Sequence, residues 1–337
     1  MIGSPRVTVL MPVYNGENFL REAVQSILGQ TFTDFEILII NDGSSDRSAG
    51  IMESFDDPRI RLVHNERNIG LIATLNKGFD LARGEFVARM DCDDISRPQR
   101  LGKQAAFLAA HPDIGVCGTW FRKFGAQGSK VVRWETEPDA VRAAMLFSCS
   151  LAHPTVMLRR EAFVSRMLYY DAAYPHAEDY ELWVRAMAFM DVANLPEVLL
   201  DYRVHPDQVT QRLFLKQAET AGRVRLRQLL EVGLEVSADE FRLHQALSIC
   251  DPLGIEDVYR KADQWLCCLK RRNDEKKAFA EPCFSRVLLE RWLTFGKKCF
   301  FRCGGSRSYL FRAPDILRET GLGWGGMAHV LFERLRG

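Results

Sequence analysis

Four short β-prone runs alternate with helical stripes in the first hundred residues: Val7-Thr-Val-Leu-Met11, Phe35 to Ile40, Ile60 to His64 and Glu85 to Met90. Three carry almost no polar interruption, as strands buried on both faces require. Between them, Leu20, Val24, Ile27 and Leu28 fall at i, i+4, i+7 and i+8, and Leu71, Leu75 and Phe79 repeat at spacing four. Gly84 follows the second stripe where a C-cap glycine is expected. The alternation predicts an α/β fold on a mostly parallel sheet with right-handed crossovers, and in such sheets ligands bind beyond the carboxyl ends of the strands.

Each of these strand ends carries a polar cluster: Pro12-Val-Tyr14-Asn-Gly-Glu17, Asn41-Asp42-Gly-Ser-Ser-Asp46, Asn65-Glu-Arg-Asn68-Ile-Gly70 and Asp91-Cys-Asp93-Asp94. One cluster would read as a turn with a helix cap. Four on one rim point to a site. The last places three carboxylates within four residues, and their mutual repulsion calls for protonation or a cation. A hard divalent ion with oxygen ligands, Mn²⁺ or Mg²⁺, suits such a set together with substrate phosphates. An acidic turn capping the next helix is the plainer alternative.

After Pro98 the pattern predicts a helix from Gln99 to Ala109, a strand from Ile114 to Trp120, a turn at 125–128, and a β-prone stretch to Trp134. A helix near Asp139 to Leu146, a strand from Thr155 to Leu158, a helix from Glu178 to Met190 and a strand from Val192 to Tyr202 follow. Residues 1–209 thus read as one α/β domain. From 210 to 337 helical patterns dominate, with Leu213, Leu215, Val224, Leu226, Leu229 and Leu230 apolar.

The net charge of +1 excludes a uniformly basic nucleic-acid binder, but it is unevenly divided. From Arg260 onward there are 17 Lys and Arg against 8 Asp and Glu, so a basic end balances an acidic remainder. No apolar signal core opens the chain, and its most apolar stretch, 143–158, is broken by His153-Pro154, so neither secretion nor a membrane span is expected. Nine unevenly spaced cysteines suit a reducing compartment. Cys299 and Cys303 lack the second ligand pair of a zinc site. Gly321-Leu-Gly323-Trp-Gly-Gly326 matches a dinucleotide fingerprint literally, but no strand precedes it.

The motifs at the first, second, third and fourth strand ends, followed in order by Ala177-Glu-Asp-Tyr-Glu-Leu-Trp183, resemble the family 2 nucleotide-sugar glycosyltransferases of the GT-A fold, over about the first 205 residues. The resemblance implies a nucleotide-diphosphate donor, usually a UDP-sugar. Pro12, Tyr14 and Glu17 would flank the nucleotide, Asp42 would bond the base, and Asn68 and Lys77 would line the same pocket. Asp91 would contact the ribose or sugar, and Asp93 would hold the metal that bridges the diphosphate. Glu178-Asp179 matches the family's Glu-Asp motif, which makes Asp179 the expected catalytic base, and the family outcome is inversion. The bacterial surface-polysaccharide branch is the nearest in pattern, through His153-Pro-Thr and Tyr202-Arg203-Val-His205. His205 is a candidate to complete the metal shell or to neutralise the diphosphate. Glu178, Arg203 and His153 are candidates for diphosphate or acceptor contact, His153 more as an ordering residue. Processive relatives carry Gln-x-x-Arg-Trp, whereas Leu288 stands where that Gln would precede Arg291-Trp292, which favours transfer of a single sugar.

Two rivals stay open at this stage: a nucleotide-sugar-binding protein without transferase activity, and a nucleotidyltransferase, although the latter would want a basic Gly-rich loop that Asn15-Gly16-Glu17 does not supply. The basic end interleaves Leu288, Leu289, Trp292, Leu293, Phe300 and Phe301 with Arg286, Arg291, Lys297, Lys298 and Arg302. That composition suits an interfacial helix on an anionic membrane, or a helical subdomain that packs its own apolar face. A saccharide acceptor, lipid-linked as in relatives, and a cytoplasmic location, peripheral on the inner membrane face, are the corresponding expectations.

Overall fold

The computed structural model describes residues 4–126, 128–205, 214–303, 314–322 and 325. Two compact units emerge, one of residues 1–136 with 151–217 and one of 137–150 with 218–337.

The first unit is a sheet with helices. Its elements are β1 (Val7–Val13), α1 (Leu20–Leu28), β2 (Phe35–Asn41), α2 (Ser48–Glu53), β3 (Ile60–His64), α3 (Leu71–Leu81), β4 (Phe86–Arg89), β5 (Ile95–Ser96), α4 (Arg100–Ala110), β6 (Ile114–Gly125) and β7 (Gly128–Val132). After α5 (Pro138–Met145), which belongs to the other unit, come β8 (Met157–Arg159), α6 (Arg160–Val164), α7 (Glu178–Ala186) and β9 (Asp191–Val204). The strands run β3-β2-β1-β4-β8-β6-β9-β5, with β7 on β6. β1, β2 and β4 are buried along their whole lengths, which is why they read as unbroken apolar runs.

The β3-β2-β1-β4 half is parallel, as the alternation predicts. The other half is mixed: β8 runs antiparallel to both β4 and β6, β9 is parallel to β6, and β5 is antiparallel to β9. β5 is only two residues long, too short to leave a periodic signature. Its pairing decides the site, because it holds the segment after Asp94 against the end of β9.

Gly84 has a role other than the expected cap. The C-cap of α3 is Ala82, at φ −61°. At Gly84 a Cβ would lie 2.5 Å from the backbone nitrogen of Thr8 and 2.8 Å from the carbonyl carbon of Val7, so glycine lets the turn into β4 press against β1.

The second unit is helical: α5, α8 (Phe214–Glu231), α9 (Ala238–Ile249), α10 (Val258–Lys276), α11 (Cys283–Cys303) and α12 (Asp315–Glu319). Sequence reading places α5 inside the α/β domain, but Ala143, Ala144, Leu146 and Phe147 share an apolar core with Leu247, Trp265 and Leu288. The division therefore crosses the chain three times, after residues 136, 150 and 217, instead of falling once near 209. Leu288, Leu289 and Trp292, nominated for a lipid face, are buried in this core. The side chains of Phe300, Phe301, Cys299 and Cys303, and most of Gly321–Gly326, lie outside the described residues. No helix among the described residues is long and apolar enough to cross a membrane.

Candidate functional site

β4 delivers the acidic cluster. Beyond Arg89 the chain turns, and Asp91, Asp93 and Asp94 each offer a carboxylate oxygen within 4.8 Å of the others. Burial, reinforced by Asp91 and Asp93, pushes the Asp94 carboxyl well above the usual carboxylate range. Asp94 is 1% exposed, and its Oδ2 has no hydrogen-bond partner, while Oδ1 accepts from the Arg203 amide at 2.9 Å. Asp91 is also raised by burial, against the pull of its ion-pair partner Arg89. Converging carboxylates, one of them with an orphaned buried oxygen, fit a hard divalent cation.

The end of β9 closes this cluster from a distant part of the chain. Ile95 and Ser96 pair with Asp201 and Leu200, and that register carries Arg203 and His205 alongside residues 93–94. Arg203 Nε donates to the Asp93 carbonyl at 2.8 Å, and its guanidinium pairs with Glu22 while lying 4.7 Å from the ring centres of both Phe19 and Phe124. His205 Nε2 stands 3.0 Å from Asp93 Oδ2, and its ring packs 4.9 Å from Phe19. These contacts place both residues on the carboxylate cluster.

The loops after β1, β2 and β3 are stitched together. The amides of Asn15, Gly16 and Glu17 donate to Ser44 Oγ, Ser48 Oγ and Asp46 Oδ2 at 2.9–3.0 Å. Pro12 is buried in β1 and Tyr14 stands out into solvent, 53% exposed. Glu17 turns to Arg47, accepting from its amide and Nε, and this partner lowers the Glu17 carboxyl. Asp42 is buried: its Oδ1 accepts from Asn65 Nδ2 and the Ile69 amide, and its Oδ2 from the Gly70 amide. Asp42 thus organises the third loop, with an Oδ2 lone pair left for a further donor. Lys77 donates to Asn65 Oδ1 at 2.6 Å, so Lys77, Asn65 and Asp42 form one relay, and Asn68 caps the Gly70 amide from an exposed position. Asn65 is the residue sequence reasoning passed over. Its place in the Asn65–Gly70 cluster is the signal that could have found it. Gly43, at φ +69°, sits where a Cβ would meet the Asn68 amide nitrogen at 2.5 Å.

Asp179 begins α7, its Oδ1 accepting from the Tyr180 amide at 2.7 Å. Burial raises its carboxyl to about 6, with Arg89 working in the opposite direction. Glu178 is 6% exposed, its Oε2 lacks a hydrogen-bond partner, and burial plus the Asp179 charge push it up to about 7. His153, by contrast, is an interior residue. Its Nε2 lies 2.8 Å from the Tyr170 hydroxyl and its ring packs edge-on to Trp183, so burial holds it well below the usual imidazole range. It orders the segment leading to α7 through its contact with Tyr170.

Residues 8–165 match the family described as glycosyl transferase family 2. A Haemophilus influenzae protein described as an uncharacterized glycosyltransferase is 32% identical over 237 residues, covering 67% of this chain and 73% of that protein. The amylovoran biosynthesis glycosyltransferase AmsE of Erwinia amylovora is 31% identical over 211 residues, 61% of this chain and 79% of AmsE. The fold is similar to that of S. aureus TarS in complex with UDP-GlcNAc, with a TM-score of 0.59 at 18% identity over 90% of this chain and 93% of that one.

Proposed function

The chain belongs to glycosyltransferase family 2 and is a glycosyltransferase, and from that premise we propose that it transfers a single sugar from a nucleotide-diphosphate donor, a UDP-sugar in the first instance, to a saccharide acceptor with inversion. The observation that carries this reading is the separation of carboxylates into two sets. One set, Asp91, Asp93 and Asp94 with His205 on Asp93, suits a cation and a diphosphate. The other, Asp179 beside Glu178, has no arginine ion pair among the described residues and is raised toward neutrality, where a carboxylate serves best as a general base.

Asp93 and His205 are the residues that would hold Mn²⁺ or Mg²⁺. The ion's chemistry there is to offset the charge of the departing nucleoside diphosphate. Asp91 would orient the ribose or sugar. Pro12, Tyr14, Glu17, Asp42, Asn68 and Lys77 belong to the loops that would receive the nucleotide, with Tyr14 offering an open aromatic face. Asp179 would take the proton of the acceptor hydroxyl as its oxygen attacks the anomeric carbon, and attack opposite the leaving group inverts that centre.

AmsE, by its name, acts in amylovoran biosynthesis, which supports polysaccharide assembly as the setting. A lipid-linked acceptor at the cytoplasmic membrane face is part of the same proposal. The basic character of the residues after Arg260 supports attachment by charge, since Leu288, Leu289 and Trp292 of α11 are spent in the core.

The test is release of nucleoside diphosphate from UDP-, dTDP- and GDP-sugars with and without Mn²⁺ or Mg²⁺. Metal-dependent release that is lost in Asp179→Asn with donor binding retained supports the assignment. Unchanged turnover in that variant sinks it.

A further inference from the structure

We propose that Arg203 is a positioning residue for the candidate cation site: it grips the main chain at Asp93 and Asp94, sets the Asp93 carboxylate against His205, and does not itself bind the diphosphate. The proposal rests on the reading of Asp93 as the metal ligand.

Arg203 holds the acidic turn at two points. Its amide donates to Asp94 Oδ1 at 2.9 Å, and its Nε donates to the Asp93 carbonyl at 2.8 Å. His205 reaches the other end of the same residue, with Nε2 3.0 Å from Asp93 Oδ2. Asp93 is thus held by its main chain and by its carboxylate, from partners 110 and 112 residues along the chain.

The guanidinium is itself fixed. Phe124 is the register partner of Arg203 across the parallel β6–β9 pair, and Phe19 caps α1; the guanidinium carbon lies 4.7 Å from each ring centre. Nη2 pairs with Glu22 in the first turn of α1. A planar guanidinium offers its faces to rings while its edge donates in plane, which an ammonium cannot do. Phe19 also packs 4.9 Å from the His205 ring, so one aromatic side chain supports both residues that hold Asp93. An arginine that binds diphosphate turns its fork to phosphate oxygens. Here one edge donor is on a main-chain carbonyl and another on a carboxylate, and the side chain is only 16% exposed. That arrangement orients a metal ligand from outside the coordination sphere.

The experiment compares the wild type, Arg203→Met, Arg203→Lys and Asp93→Asn. Mn²⁺ binding without nucleotide is followed by the electron paramagnetic resonance of the free ion, and UDP binding by calorimetry at Mn²⁺ saturating for each protein. Arg203→Met raises the Mn²⁺ dissociation constant by about tenfold, while its UDP affinity at saturating Mn²⁺ stays at the wild-type value. An unshifted Mn²⁺ constant in folded Arg203→Met overturns the proposal. So does UDP binding that remains weak at saturating Mn²⁺, which would make Arg203 a direct ligand of the diphosphate. Should Arg203→Met fail to fold in a circular-dichroism melt, Arg203→Lys, which keeps the charge but not the planar fork, is read by the same criteria. Mn²⁺ binding retained in Asp93→Asn would overturn the metal reading of Asp93 instead. The grip on the turn is then decided by amide hydrogen exchange of the metal-free protein, where Arg203→Met speeds exchange over residues 91–96 and leaves α3 as in the wild type. Unchanged exchange over 91–96, or equal acceleration in α3, overturns it.

Discussion

His205 Nε2 lies 3.0 Å from Asp93 Oδ2 across a sequence separation of 112 residues. The two-residue strand β5 makes this contact by laying the chain after Asp94 antiparallel to the end of β9. A ring at hydrogen-bond distance from a candidate metal carboxylate either shares the ion or orients its ligand, and loss of such a group typically costs 10–100-fold in metal affinity or activity. His205→Ala is therefore expected to raise the Mn²⁺ concentration for half-maximal donor turnover by about tenfold. A metal titration at saturating donor checks it, and an unchanged midpoint would remove His205 from the site.

The acid limb of activity should reflect the Glu178–Asp179 pair. Both carboxyls are raised by burial, to about 7 and about 6. A general base works only when ionised, so kcat/KM should be lost as pH falls through this range and should level off above it. Two neighbouring carboxyls titrate as a unit, and the limb belongs to the pair. Glu178→Gln removes the adjacent negative charge and is expected to move the limb downward, toward the ordinary aspartate range, measured as kcat/KM between pH 5 and 9. An upward move would contradict the electrostatics.

Gly84→Ala should destabilise the first unit by about 1–3 kcal/mol, the usual cost of overpacking. The atoms a Cβ would strike, the Thr8 nitrogen and the Val7 carbonyl carbon, are strand backbone and have no rotamer to escape into. Thr8 Oγ1 also accepts the Gly84 amide at 2.8 Å, so any shift loosens that bond. Urea unfolding of both proteins measures the difference, and equal midpoints would show that β1 yields.

The parallel half of the sheet was legible because β1, β2 and β4 are buried along their full lengths and leave continuous apolar runs. The antiparallel half was less so: β5 has two residues, and β8 has three. Pairings such as Ile95 with Asp201 depend on tertiary register, which periodicity does not encode. The acidic cluster could be read from its charge density alone, whereas Arg89 left no signal and Asn65 only its place in a polar turn. An arginine at a strand end and an asparagine in a turn both have ordinary explanations until burial and partners are known. Helix α5 misled for a related reason. Its apolar residues announce a buried face without saying which core they join, and they join that of the second unit.

His244 makes the second unit sensitive to acid. It is fully buried, its Nε2 lies 3.0 Å from the Leu146 carbonyl, and Nδ1 receives the Trp265 indole N–H at 3.2 Å, a pair of bonds that the neutral tautomer protonated on Nε2 satisfies. Burial lowers its pKa to about 3, below the value of about 6.5 expected in an unfolded chain. Between those values the unfolded state binds the extra proton, so the stability that His244 contributes is complete above about 6.5 and is lost progressively as pH falls toward 3. His244→Phe leaves the Leu146 carbonyl and the Trp265 N–H without partners, which costs about 1–3 kcal/mol at pH 7. It also removes the titrating group, so its melting temperature should fall less steeply than that of the wild type between pH 7 and 5. Parallel thermal melts across that interval decide the matter, and identical slopes for the two proteins would mean that His244 is not what couples this helical core to pH.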